Sequence, residues 1–235
     1  SKSKSWEIDA RRAGSPRRCL MLMAPECGVD AEGAQAPDGE MTPAFAILIP
    51  AAGASSRMRG GDKLLEPIEG VACLRGIAER ALQISSRVIV TLPAAPHARY
   101  AVLEDLNVVI VPVENAALGM GHSLMCGVQA VPNGWGVMIV PGDMPNLEAE
   151  DLAQVAAAFN GKRIVRGMTQ SGAPGHPILF PARLLAGFAT LSGDRGASEI
   201  VRREMPDVTG VRLRGDRAIL DLDTPEEWAA YRARQ

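Results

Sequence analysis

From residue 44 onward, short apolar runs alternate with stretches whose apolar positions recur at helical spacing. Phe45–Ile49, Arg87–Leu92, Val108–Val111 and Gly136–Val140 read as strands, the first a buried-type run. Between them, Leu74, Ile77, Ala78, Ala81 and Leu82 mark a helix over 71–84, and 96–106 and 118–131 read as two more. Leu152, Val155, Ala156 and Phe159 form another helical face. Short strands are expected near 163–166 and 178–180, helices near 182–190 and 196–204, and strands near 208–213 and 217–222. A last helix opens at Pro225, where Thr224 and Glu227 make a capping box. Trp228 and Tyr231 share one of its faces. Such βαβ alternation predicts a Rossmann-like, three-layer α/β/α fold with a mostly parallel central sheet.

Residues 1–42 stand apart from this pattern. Bases crowd residues 1–18 and five acids occupy 19–40, with no sustained period in either half. The apolar run after Arg17-Arg18 is too short for a signal peptide and has no small-x-small cleavage site. The expected organisation is an N-terminal extension over 1–42 and one domain over 43–235, a size that suits a single α/β domain. A net charge of -2 and 4% aromatics argue against a nucleic-acid partner. No apolar run reaches the ~20 residues that a membrane crossing needs. Cys19, Cys27, Cys73 and Cys126 show neither a Cys-x-x-Cys pair nor zinc-ligand spacing, and a reducing cytoplasm is the expected setting.

The first strand runs into Ala51-Ala52-Gly53-Ala54-Ser55-Ser56-Arg57-Met58-Arg59-Gly60-Gly61-Asp62-Lys63-Leu64-Leu65. Small residues let backbone N–H groups approach a ligand, and Arg57, Arg59 and Lys63 add positive charge. A strand that ends this way is suited to an anion, above all a triphosphate. Neither better-known phosphate loop fits. Lys63 follows Asp62 and precedes Leu64, which fails the P-loop; Ser55 and Met58 stand where the dinucleotide fingerprint needs glycine.

Two acidic places stand out. Asp143, in Pro141-Gly142-Asp143-Met144-Pro145, follows an apolar strand and so sits where open α/β sheets bind ligands. Asp221 and Asp223, read as i and i+2 of a strand, face one side and repel unless a cation lies between them. Magnesium prefers carboxylate oxygens together with phosphate and water. A helix N-terminus alone accounts for Asp223 but not for Asp221.

These segments together resemble the MobA-like NTP transferase family, most closely its molybdenum cofactor cytidylyltransferase branch. The resemblance rests on Ala51-Ala52-Gly53-x-Ser55-x-Arg57-Met58, on Lys63-Leu64-Leu65, and on the Gly-Asp-x-Pro at Asp143. It rests also on Gly119-Met120-x-x-Ser123-Leu124, on Gly175-His176-Pro177, on Gly193-Asp194-Arg195-Gly196-Ala197, and on Asp221-x-Asp223-Thr224-Pro225-Glu226. It implies a nucleotidyltransferase that moves CMP from CTP (or GMP from GTP) to the phosphate of a molybdopterin-type acceptor. Ala52 before Gly53 resembles the cytidylyl branch. By this resemblance Ala51, Ala52, Gly53, Ser55, Arg57 and Lys63 hold the triphosphate, and Arg57, Lys63 and Asp143 carry the transfer. Asp143, Asp221 and Asp223 hold Mg²⁺, Gly119 and Ser123 lie near base and ribose, and His176 lies near the acceptor. On residues alone, Gly119 and Ser123 read equally well as a helix start. Ser198 stands where relatives carry a base, so the acceptor stays open. A sugar or polyol phosphate is one alternative. A non-catalytic module that hands cofactor to a molybdenum enzyme is another.

Overall fold

Phe45–Pro50 (β1) is buried from Ala46 to Ile49, and its alternate side chains feed two separate cores. The strands that follow are Pro67–Ile68 (β2), Val71–Ala72 (β3), Val88–Pro93 (β4), Val109–Val113 (β5), Gly136–Ile139 (β6), Ile164–Met168 (β7), Pro174–Phe180 (β8) and Val208–Arg212 (β9). The α-helices are Cys73–Leu82 (α1), Met120–Val128 (α2), Ala149–Ala157 (α3), Ser198–Arg203 (α4) and Pro225–Arg232 (α5). The computed structural model describes residues 43–234 except 192, 194 and 195; the expected extension over 1–42 lies outside the described residues.

Seven strands form one sheet in the order β5-β4-β1-β6-β8-β7-β9. The pairings β1–β4, β1–β6, β4–β5 and β7–β9 are parallel, whereas β8 runs antiparallel to both neighbours. Ile47 and Ile49 pack with Leu74 and Ile77 of α1 and Leu152 and Val155 of α3. Ala46 and Leu48 pack on the other face with Leu124 and Cys126 of α2 and Ile200 and Val201 of α4. The predicted three-layer, mostly parallel α/β architecture is therefore the one observed.

Several elements differ from the sequence expectation. The helix predicted from 71 starts at Cys73, because β2 and β3 close a two-residue hairpin. Glu69 and Gly70 both have positive φ, the turn that matches the strands' twist. Over 96–106 only a 3₁₀ segment forms, Ala98–Leu103. Gly119, at φ 93°, ends a short 3₁₀ turn and delays α2 to Met120. Residues 182–190 are 3₁₀ rather than α.

No strand forms over 217–222. The Ile219 and Leu220 N–H groups bond back to Asp216 O, at 3.0 and 3.1 Å, so the backbone satisfies itself in a turn. Its neighbours take one bond each: His176 N–H donates to Ala218 O at 2.7 Å, and Leu222 N–H donates to Asp143 O at 3.2 Å. Gly175 makes the first contact feasible, since a Cβ there would lie 1.9 Å from Ala218 O.

A third, smaller core holds α5 beneath these loops. Trp228 is fully buried against Met58, Cys73, Leu222 and Tyr231. The capping box read from Thr224 and Glu227 is formed, and Tyr231 Oη donates to Asn146 at 2.7 Å. Met58 and Leu222 belong to the two segments the sequence marked for chemistry, so α5 clamps both. Trp228→Ala is expected to destabilise the fold by about 3–5 kcal/mol, read by chemical denaturation.

Candidate active site

The carboxyl end of β1 opens into a loop that doubles back through a 3₁₀ turn, Ser56–Met58, with Ser55 and Arg59 in the left-handed region on either side. An interior salt bridge gives this loop its shape. Arg99 is only 1% exposed. Its Nη1 donates to the carbonyls of Ala51 and Gly53 at 2.6 and 2.8 Å. Its Nη2 donates to Ser55 Oγ at 3.0 Å and to Asp62 Oδ1 at 2.8 Å, and Nε donates to Asp62 Oδ2 at 2.7 Å. Asp62 also accepts from the Leu64 N–H at 3.1 Å. Burial pushes the Asp62 carboxyl up, but the Arg99 fork, the Leu64 N–H and Ser55 outweigh it, and the net shift is downward.

Lys63 leaves the end of this loop and points at the acids. Its ammonium donates to Asp143 and, at 2.6 Å, to Asp223. Arg57 reaches the other oxygen of Asp223 at 2.6 Å, while Arg59 turns away to Glu226. Burial pulls Lys63 down, yet Asp143 and Asp223 raise it above the ordinary lysine range. That shift favours the charged ammonium, which suits Lys63 to neutralising charge rather than to taking a proton.

Asp143, Asp221 and Asp223 each offer an oxygen, all within 4.8 Å of one another. Partial burial, then the charges of Asp143 and Asp223, push the Asp221 carboxyl upward. Oxygens bound to one magnesium span up to about 4 Å, so the donor set fits a hard divalent ion after a small closure. The grouping arises without the expected strand: Leu222 is buried and tied to Asp143 O, which leaves its two flanking carboxylates beside Asp143.

Between loop and acids lies a cleft of about 430 Å³. Of the residues singled out in the sequence, Ala51, Gly53, Ser55, Arg57, Lys63, Asp143, His176 and Asp223 line it. Ala52, Gly119, Ser123 and Asp221 do not; Ser123 is buried, and Met120 and Leu124 face the cleft instead. His176 is neutral at physiological pH, because burial and then the Arg166 charge lower it to about 4 against the pull of Asp143 and the Ile139 carbonyl. Asp194 and Arg195 of the Gly-Asp-x-Gly-Ala segment lie outside the described residues. Sequence reasoning missed Arg99, Asp62 and Arg166. The one available signal was Asp62, an acid set inside a cationic loop.

Arg99→Met strands the Asp62 carboxylate, and its expected cost is about 3–5 kcal/mol in denaturation. Because the folded Asp62 titrates below its unfolded value, its contribution is full above about pH 4 and fades as pH falls further. The stability gap between wild type and Asp62→Asn should accordingly narrow in melts taken from pH 6 down to pH 3.

Comparison with known proteins gives the family. The profile described as MobA-like NTP transferase domain matches residues 47–208. The chain is 29% identical over 194 residues to the molybdenum cofactor cytidylyltransferase of Escherichia coli, covering 81% of this chain and 97% of that protein. It is 32% identical over 124 residues to the bifunctional protein GlmU of Mycobacterium leprae, of whose length the match spans only 25%. The crystal structure of Rv0371c from Mycobacterium tuberculosis superposes with a TM-score of 0.71 at 24% identity, over 81% of this chain and 98% of that one. A further structure of Rv0371c is a complex with manganese, with a TM-score of 0.68 at 24% identity over 80% and 97% of the two chains. No helix among the described residues is long and apolar enough to cross a membrane. With a match that spans most of the chain and a relative covered along 97% of its length, this protein belongs to the MobA-like NTP transferase family of nucleotidyltransferases.

Proposed function

We propose that the protein transfers CMP from CTP to the phosphate of a molybdopterin-type acceptor and releases pyrophosphate. The observation that carries this reading is the meeting of Lys63 with Asp143 and Asp223, residues far apart in the chain, at the mouth of an anion-binding loop. The cytidylyltransferase of Escherichia coli, similar along nearly its whole length, supports the choice of nucleotide and acceptor.

In this mechanism the backbone of Ala51, Ala52, Gly53 and Ser55, with Arg57 and Lys63, holds the triphosphate. Gly119 and Ser123 set the path of the chain beneath the nucleoside. Asp143, Asp221 and Asp223 hold Mg²⁺, in keeping with the manganese complex of a protein of the same fold. When bound, such an ion neutralises charge on the phosphate oxygens. An acceptor phosphate oxygen attacks the α-phosphorus in line. The new P–O bond forms as the bond from the α-phosphorus to the bridging oxygen breaks, and pyrophosphate carries away the electron pair. The nucleophile is already an anion, so no general base is needed. The Lys63 ammonium is favoured by its acidic partners and His176 is held below the usual histidine range, which suits one to neutralisation and the other to acceptor contact. Catalysis is then positioning plus electrostatic stabilisation.

Thermal shift with CTP, GTP, UTP and ATP in the presence of Mg²⁺ tests the nucleotide, with CTP expected to stabilise selectively. Asp143→Ala should lower pyrophosphate release by about 10²–10³-fold, the equivalent of several kcal/mol of lost charge stabilisation, while CTP binding only weakens. Undiminished turnover in that variant would remove Asp143 from the mechanism.

A further inference from the structure

Among the described residues three cations line the cleft: Arg57, Lys63 and Arg166. The first two are neutralised by Asp143 and Asp223. Arg166 is different. It projects from β7, and its Nε and Nη2 donate to the Gly175 carbonyl at 3.3 and 3.1 Å. It forms no ion pair with a carboxylate among the described residues, and burial alone accounts for its lowered pKa. A half-buried guanidinium without a counter-ion is costly unless a ligand supplies one. Beside it, His176 Nδ1 is buried and has no hydrogen-bond partner. Arg166 thus lacks a carboxylate counter-ion among the described residues at the end of the cleft where His176 lies.

The sheet order gives this end a meaning. Across the carboxyl edge, the phosphate loop follows β1, Asp143 follows β6, His176 stands at the start of β8, and Arg166 lies on β7. The acids therefore separate two cationic poles. An in-line displacement has the same layout, with the nucleophile on one side of the reacting phosphorus and the leaving group on the other. The phosphate loop, with Arg57 and Lys63, is the pole for the leaving pyrophosphate. The second pole faces the nucleophile.

We propose that Arg166 is the anion anchor of the acceptor and makes the enzyme specific for a phosphate monoester; this rests on the nucleotidyl-transfer reading above. The guanidinium presents a planar fork that a phosphate can bridge. Arg166 touches the substrate on this account and takes no proton.

The test titrates inorganic phosphate into the protein calorimetrically, with and without saturating Mg²⁺ and a CTP analogue carrying a methylene between its α- and β-phosphates. With the nucleotide site filled, phosphate reports the second pole. Wild type should bind it, and Arg166→Gln should bind it at least about tenfold more weakly while its affinity for the analogue stays within about twofold. Arg166→Lys keeps the charge but not the fork and should fall between; it serves in place of Arg166→Gln if that variant melts early. In steady state the acceptor KM should rise with kcat and the CTP KM preserved. An unchanged phosphate isotherm in Arg166→Gln overturns the proposal. So does a parallel loss of analogue affinity, which would assign Arg166 to the nucleotide, and so does a wild type that binds no phosphate. Failure of the nucleotidyl-transfer reading has its own signature, a wild type that does not bind the analogue. The titration without analogue then still decides the anion site.

Discussion

The ammonium of Lys63 holds together parts of the chain that share no secondary structure. It bonds Asp143, which follows β6, and Asp223, which precedes α5, and it hangs from the loop after β1. With Lys63 removed, three carboxylates would face each other across a few ångströms with only Arg57, paired to Asp223, to compensate them. The pair of bonds therefore fixes where the loop ends relative to the acids, and so where a triphosphate and a divalent ion could meet. Low exposure of all three side chains keeps water from screening the attraction.

That contact would be of little use if the loop could wander. Arg99 prevents this from within. One guanidinium holds two loop carbonyls, a hydroxyl and a carboxylate, so every donor it carries is used. The loop's carbonyls at Ala51 and Gly53 are thereby satisfied from inside. Below, Trp228 packs against Met58 of the loop and Leu222 of the acidic segment. Polar fork and apolar clamp act on the same two segments, one by direction and the other by burial.

What the sequence made legible follows from the range of the interactions involved. β1 and Asp143 were readable because a continuous apolar run and the residue just past its end are local facts. Asp221 and Asp223 were readable as a pair, although for the wrong reason. No strand carries them, and a buried Leu222 bonded to Asp143 does the aligning. Arg99 was not readable, since nothing near it distinguishes a buried arginine from a solvated one. Its partners lie 37 to 48 residues away. Arg166 was hidden likewise, inside a short strand whose neighbour β8 reverses direction. The hairpin Pro67–Ala72 was missed because its turn, Glu69-Gly70, is short and interrupts what read as the start of a helix.

The reversal at β8 decides what the cleft can contain. In a doubly wound sheet the crevice forms where connections leave a strand in opposite directions, here between β1, flanked by β4, and β6. Parallel strands bring only their carboxyl ends to that edge. Because β8 is antiparallel to β6, with Ile178 opposite Ile139, its beginning reaches the edge instead. Gly175 and His176 arrive beside Asp143 for that reason, and the Gly175 carbonyl is where the Arg166 guanidinium rests. Gly175 further admits Ala218, whose segment runs on to Asp221 and Asp223. A parallel strand in that position would place Leu179 and Phe180 at the edge, residues that in this chain fill the two cores at the opposite end. One reversed strand thus converts an apolar sheet edge into a polar wall facing the loop after β1.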